Sequence, residues 1–85
     1  MKIFGYSYNE EQEKPTQLRE ISFLSQSPAE LRKISAFLTE AAKLLEDGPA
    51  FGHRHLSIED KTWDGSGPDV VVADGRSFEQ GQFRP

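Results

Sequence analysis

Apolar positions recur along this chain with two different periods, and the change of period marks out its elements. Between residues 28 and 46, Leu31, Ile34, Leu38, Ala41, Ala42 and Leu45 fall within about a third of a helical wheel at 100° per residue. Phe37 and Leu44 widen that stripe on one side, while Arg32, Lys33, Glu40, Lys43, Glu46 and Asp47 hold the other face. The start signal is Ser27-Pro28-Ala29-Glu30: an N-cap hydroxyl, a proline in the first helical position and a glutamate able to reach back to the serine amide. The stop signal is Asp47-Gly48-Pro49, in which Gly48 suits a left-handed cap and Pro49 cannot continue a helix. An amphipathic helix of about 28 Å is predicted over residues 28–46.

The flanking segments alternate with period two. Residues 2–8 place Phe4, Tyr6 and Tyr8 on one side and Ile3, Gly5 and Ser7 on the other. Residues 18–25 alternate likewise, with Ile21 and Phe23 on one face and Leu18 and Leu24 on the other. The polar stretch 9–17, which contains Pro15, predicts a long hairpin loop between them. After the helix, residues 51–59 predict a third strand, with Leu56 and Ile58 opposed to His53, His55 and Ser57. Residues 69–73 predict a fourth, reached through the turn cluster Asp64-Gly65-Ser66-Gly67-Pro68.

The order β-β-α-β-β implies an α+β domain, one amphipathic helix packed on one face of a mostly antiparallel four-stranded sheet. One helix covers one sheet face, which leaves the other to water or to a partner. The domain is expected over residues 1–74, with 75–85 as a polar tail that either adds a short edge strand or stays unordered.

Size sharpens this picture. At 85 residues there is room for one domain, and each core side chain carries a large share of the stability. There is no cysteine, which excludes a disulfide framework and thiolate metal sites and fits a reducing compartment. No run of apolar residues reaches the length of a membrane span or of a secretion signal, so a cytoplasmic location is expected. The formal net charge of −4, with scattered basic residues, argues against nucleic acid as a partner and mildly favours a basic protein.

Candidate chemistry is sparse. His53 and His55 are two apart in a predicted strand and so share a face, where two imidazoles can share a metal ion. A third ligand would come from Asp60, Asp64, Asp69 or Asp74, and the spacing selects none of them. Asp60, Thr62, Asp64 and Gly65 open like a calcium loop, but Val71 stands where a bidentate glutamate is required. No Gly-x-Ser-x-Gly elbow and no phosphate-binding glycine loop is present, so Ser57 or Ser77 with a histidine and an aspartate is only a collection of common residue types. No catalytic residue and no cofactor is expected. The sole tryptophan, Trp63, lies in a predicted loop beside Asp64, a position suited to a binding hot spot or to a lid over the core. His53, His55, Trp63 and Asp64 are the candidate partner-binding residues.

Ser27-Pro28-Ala29-Glu30-Leu31, the helical Phe37-Leu38, His53-Arg54-His55-Leu56 and Pro68-Asp69-Val70-Val71-Val72 together form a layout that resembles the small bacterial immunity proteins of polymorphic toxin systems. The resemblance is to the family called immunity protein 32 and covers residues 18–74, with the His-x-His-Leu strand as its most particular element. It implies a cytoplasmic, non-enzymatic protein that binds and neutralises a cognate toxin. Two other readings stand beside it: a homodimer that pairs through its open sheet face, and a domain that binds metal through the histidine pair.

Overall fold

The computed structural model of the chain describes residues 1–8 and 14–78. Its elements run β1 (Ile3–Gly5), β2 (Thr16–Leu18), α1 (Pro28–Asp47), β3 (His53–His55), α2 (Leu56–Glu59), β4 (Val71–Ala73) and a 3-10 turn (Gly75–Ser77). The fold is α+β with one main helix. The four strands do not join in one sheet, however. β1 pairs antiparallel with β2 (Ile3 opposite Leu18), and β3 pairs antiparallel with β4 (His53 opposite Ala73, His55 opposite Val71). There are thus two separate ribbons, and the expected single sheet with one bare face is replaced by a different set of exposed surfaces.

The strands are also shorter than their alternation implies. Tyr6 and Tyr8 lie beyond β1 and are exposed, as are Ile21, Phe23 and Leu24, which form no strand. Strand β3 stops at His55 because the carboxylate of Asp69 accepts from the Ser57 amide at 3.0 Å and turns the chain into α2. The amide of Leu56 nevertheless donates to Val70 O at 2.9 Å, and that of Asp74 to Gly52 O at 2.7 Å, so the β3–β4 ladder continues past both ends of its strands. Most of the expected hairpin loop, residues 9–13, and the tail residues 79–85 lie outside the described residues.

Helix α1 starts where the sequence puts it. Ser27 Oγ accepts from the Glu30 amide at 3.1 Å, and Pro28 occupies the first turn. The return half of the capping box is relayed: the Ser27 amide donates to Ser25 Oγ at 3.1 Å, and that hydroxyl donates to Glu30 Oε1 at 2.8 Å. At the other end Gly48 is not left-handed, with φ −98° and ψ 166°. A glycine is still required there, because a Cβ at Gly48 would meet the Leu44 carbonyl oxygen at 2.9 Å. The left-handed glycine is Gly52, at φ 73°.

The core is small. Ile34, Phe37 and Leu56 form its buried cluster, and Trp63, Val70 and Val72 pack against it; Ala41 is buried as well. Helix α1 therefore covers its core with the Ile34–Phe37–Ala41 edge of its apolar stripe, and the other edge, Leu31, Leu38 and Leu45, is half exposed. Among the described residues 1–25, none is buried.

Candidate protein-binding surface

Three polar locks hold the β3–β4 unit, and they account for most of its chemistry-bearing side chains. The first is built on Asp69. Its Oδ1 accepts from the amides of Ser57 and Val70 at 3.0 and 2.9 Å, and its Oδ2 faces Ser57 Oγ and His55 Nδ1, both at 2.9 Å. Partial burial pushes this carboxyl up. The bonds from the Ser57 amide, His55, the Ser57 hydroxyl and the Val70 amide outweigh it and hold Asp69 below the ordinary carboxylate range. The order of contacts decides the chemistry. A serine nucleophile needs the base on its own hydroxyl, but here serine and histidine both turn to the carboxylate between them. The cluster ties the start of α2 to the strand before it.

The second lock is Asp74 with Arg76. Asp74 is fully buried and accepts from the Phe51 amide at 3.2 Å, the Arg76 amide at 2.8 Å and the Arg76 guanidinium at 2.8 to 3.2 Å. The guanidinium bond, together with the two amides, outweighs burial and lowers the Asp74 carboxyl to about 2. Arg76 in turn donates to the carbonyls of Gly48 at 3.1 Å, Pro49 at 3.3 Å and Leu44 at 3.5 Å. The last turn of α1 holds Glu46 and Asp47 and no basic residue, so its dipole lacks a local cation, and Arg76 supplies one from 28 residues further on. Ser77 adds an acceptor for the Gly52 amide at 2.8 Å. Residues 75–77, the beginning of the expected tail, are thereby anchored to the domain. Sequence reading passed over Arg76; the signal for it is the acidic, uncapped helix end.

The third lock is the 60–68 loop, where Asp60 accepts from Thr62 and Asp64 from Ser66 through both amide and hydroxyl. Those hydroxyl bonds hold both carboxyls below their usual range, with the amide bonds next in size.

These locks sort the four candidate partner-binding residues. His53 and His55 do share a face, with ring centroids 5.3 Å apart and edge to face, and His53 stacks on Phe78 at 6.3 Å. His53 is exposed and His55 half-buried. Trp63 is half-buried: its ring packs on the core and its Nε1 donates to Pro68 O at 3.1 Å. Asp64 is exposed but engaged with Ser66. The structure thus gives a histidine edge and a separate tryptophan loop, with no hydrogen bond or ring contact joining them. Of the four aspartates, the one brought to a histidine is Asp69. Among the described residues no group of three or more His, Asp or Glu side chains is placed to hold a metal ion.

The surface offers two apolar features that no lock uses. One is the N-terminal segment, where Tyr6, Tyr8, Leu18, Ile21, Phe23 and Leu24 are all exposed. The other is the leucine edge of α1. A shallow open depression of about 390 Å³ lies elsewhere, floored by Phe37 and Leu56 and rimmed by Arg32, Lys33, Glu59 and Asp60. No described helix is long and apolar enough to cross a membrane.

No family model, no curated protein and no solved structure matches the chain. The likeness to immunity proteins therefore rests on the motif residues alone.

Proposed function

We propose that this chain is a non-catalytic protein-binding module that docks its partner on the N-terminal segment. The observation that carries the reading is the exposure of six large apolar side chains between Tyr6 and Leu24, in a part of the chain whose described residues supply none of the buried core. Isolated apolar residues on a surface are ordinary, and this reading requires that these side chains present a common patch, the form of exposed apolar surface that marks interaction sites. Aromatic anchors such as Tyr6, Tyr8 and Phe23 are the residue types that interface centres favour. The net charge of −4 steers a basic partner toward it.

In its finer form the module is an immunity protein and its partner a cognate toxin, with His53 and His55 as polar contacts at a second edge. This form draws on the motif resemblance and on the use of Ser57 and His55 as ties to Asp69, which leaves neither poised for catalysis.

The test begins with the adjacent genes, since the immunity form requires one of them to encode a toxin, and proceeds to co-expression with that toxin. The intact chain protects the cells. The double substitution Phe23→Glu and Leu24→Glu loses protection and binding to the purified toxin, and keeps the melting temperature of the parent, since both side chains are exposed. Failure of the intact chain to protect removes the immunity form. Full binding by a folded double variant removes the N-terminal docking surface.

A further inference from the structure

The leucine edge of α1 has a repeat that a single chain does not use. Leu31, Ser35, Leu38, Ala42 and Leu45 follow one another at intervals of four and three, within about 80° of the wheel. The three leucines are 44, 45 and 43% exposed, and Ser35 and Ala42 are exposed. Leucine every seventh residue, with a small residue midway, is a heptad seam with its deep positions filled and its shallow positions cut away. The neighbouring edge repeats with the same period as Arg32, Thr39 and Glu46, all exposed. Neither Arg32 nor Glu46 has an ion-pair partner among the described residues.

We infer that this edge is the seam of an antiparallel dimer, with a second copy of the same chain as its occupant. Two antiparallel copies related by a two-fold axis level with residue 40 set Leu38 of one against Ala42 of the other, and Leu45 against Ser35. Leu38 and Leu45 then each fill the gap above a small side chain, and the helices approach closely. The same operation places Arg32 of one copy near Glu46 of the other, twice, with Thr39 near Thr39 between them. That is the self-complementary pattern a two-fold contact demands. A parallel pair does worse on both counts: it sets leucine level with leucine and small with small, and it presses the Arg32–Glu46 edge onto the partner's Ile34–Ala41 edge, where no charge awaits it.

The charge pattern singles out a copy of this chain over another helix, because both signs and their spacing come from one sequence. The buried core itself does not cover the leucine edge. The core lies under the Ile34, Phe37 and Ala41 edge, about a quarter-turn round the helix from the leucines. The seam is small, three leucines and two small residues per copy. It falls below the roughly 800 Å² per partner of a standard interface, so the dimer is a weak one that forms at high concentration. This surface is distinct from the N-terminal docking segment and stands or falls independently of it.

Sedimentation equilibrium of the full chain, over loadings from about 5 to 500 µM, reads the seam directly. The weight-average mass climbs from the 9.6 kDa monomer toward twice that value. Leu38→Glu places a charge at the centre of the seam and holds the chain at monomer mass throughout, with an unchanged far-UV spectrum. Arg32→Glu and Glu46→Arg each bring like charges together and weaken association at least tenfold. The two combined restore it to within about threefold of the parent, an exchange that only the antiparallel register allows. Monomer mass for the parent at every loading overturns the inference. So does a double charge exchange that fails to recover, or dissociation by Phe23→Glu in place of Leu38→Glu.

Discussion

Leu56→Ala is the sharpest test of where this domain keeps its stability. Leu56 is 2% exposed and sits between Ile34 and Phe37, with Trp63, Val70 and Val72 around it. Its position follows from the backbone, since its amide is tied to Val70 O at 2.9 Å, and its neighbours cannot close in without breaking that ladder. Truncating a leucine this buried removes its transfer free energy and leaves a cavity, a loss of about 3 kcal/mol within the usual 2–5 range. A chain of 85 residues with so few buried side chains has a total stability of about 4–9 kcal/mol. The substitution therefore takes a third or more of it. The melting temperature falls by about 12–24 °C, at 4–8 °C per kcal/mol for a domain of this size. The assay is built in: Trp63, the sole tryptophan, packs on the same cluster, so its fluorescence follows unfolding in urea or heat. Leu24→Ala is the internal control, because Leu24 is wholly exposed and changes the midpoint by less than about 0.5 kcal/mol. If Leu56→Ala lowered the melting temperature by no more than Leu24→Ala, the core would lie elsewhere and the placement of β3 and α2 against α1 would be wrong.

Three further outcomes follow from the polar locks. Asp74 has its folded-state carboxyl lowered to about 2 from an ordinary 3.8, so the stability it contributes is complete above about pH 4 and is lost as pH falls toward 2. Asp74→Asn flattens that part of a plot of urea midpoint against pH; an unchanged slope between pH 4 and 2 refutes the Arg76 lock. Asp69→Ala removes the acceptor for the Ser57 and Val70 amides and costs about 1–2 kcal/mol, the scale of a lost helix cap, whereas Ser57→Ala costs less because both amides keep their carboxylate; equal effects in urea unfolding would contradict this. Gly52→Ala has open space for its methyl group but forces a side chain to φ 73°, at about 1–2 kcal/mol; a melting temperature within 2 °C of the parent would refute the backbone assignment.

The helix was legible because its signals are local. Ser27, Pro28 and Glu30 lie within one turn and act through hydrogen bonds of their own backbone, so their meaning survives any tertiary arrangement. The strands were not, since alternation states which residues share a side without fixing how far pairing extends or with whom. Leu56-Ser57-Ile58 reads as strand by composition, yet Asp69 offers the Ser57 amide a closer partner and the segment turns helical. Periodicity also identified the stripe on α1 without revealing which edge the rest of the chain covers. The choice fell on Ile34, Phe37 and Ala41, and it moved the free apolar surface from a sheet face to a helix edge. Among the site residues, the shared face of His53 and His55 followed from a spacing of two, whereas the packing of Trp63 on the core cluster is a tertiary contact that no local spacing encodes.

Stability and exposure are divided along the chain in a way that bears on function. The buried cluster and the polar locks draw on residues from Ile34 to Ser77, and the Asp69 and Asp74–Arg76 locks fasten both ends of the β3–β4 ladder and the end of α1. The β1–β2 ribbon has strands of three residues each, a length that gains little stability of its own, and the segment after it carries Ile21, Phe23 and Leu24 into solvent. A domain organised this way can vary its exposed N-terminal side chains without endangering its fold. Side chains free of a structural duty are those a binding surface can tune to a partner, and here several of them are large and apolar. Substitutions at Phe23 or Leu24 should accordingly alter recognition and leave folding intact, whereas those at Leu56 or Asp74 disturb both.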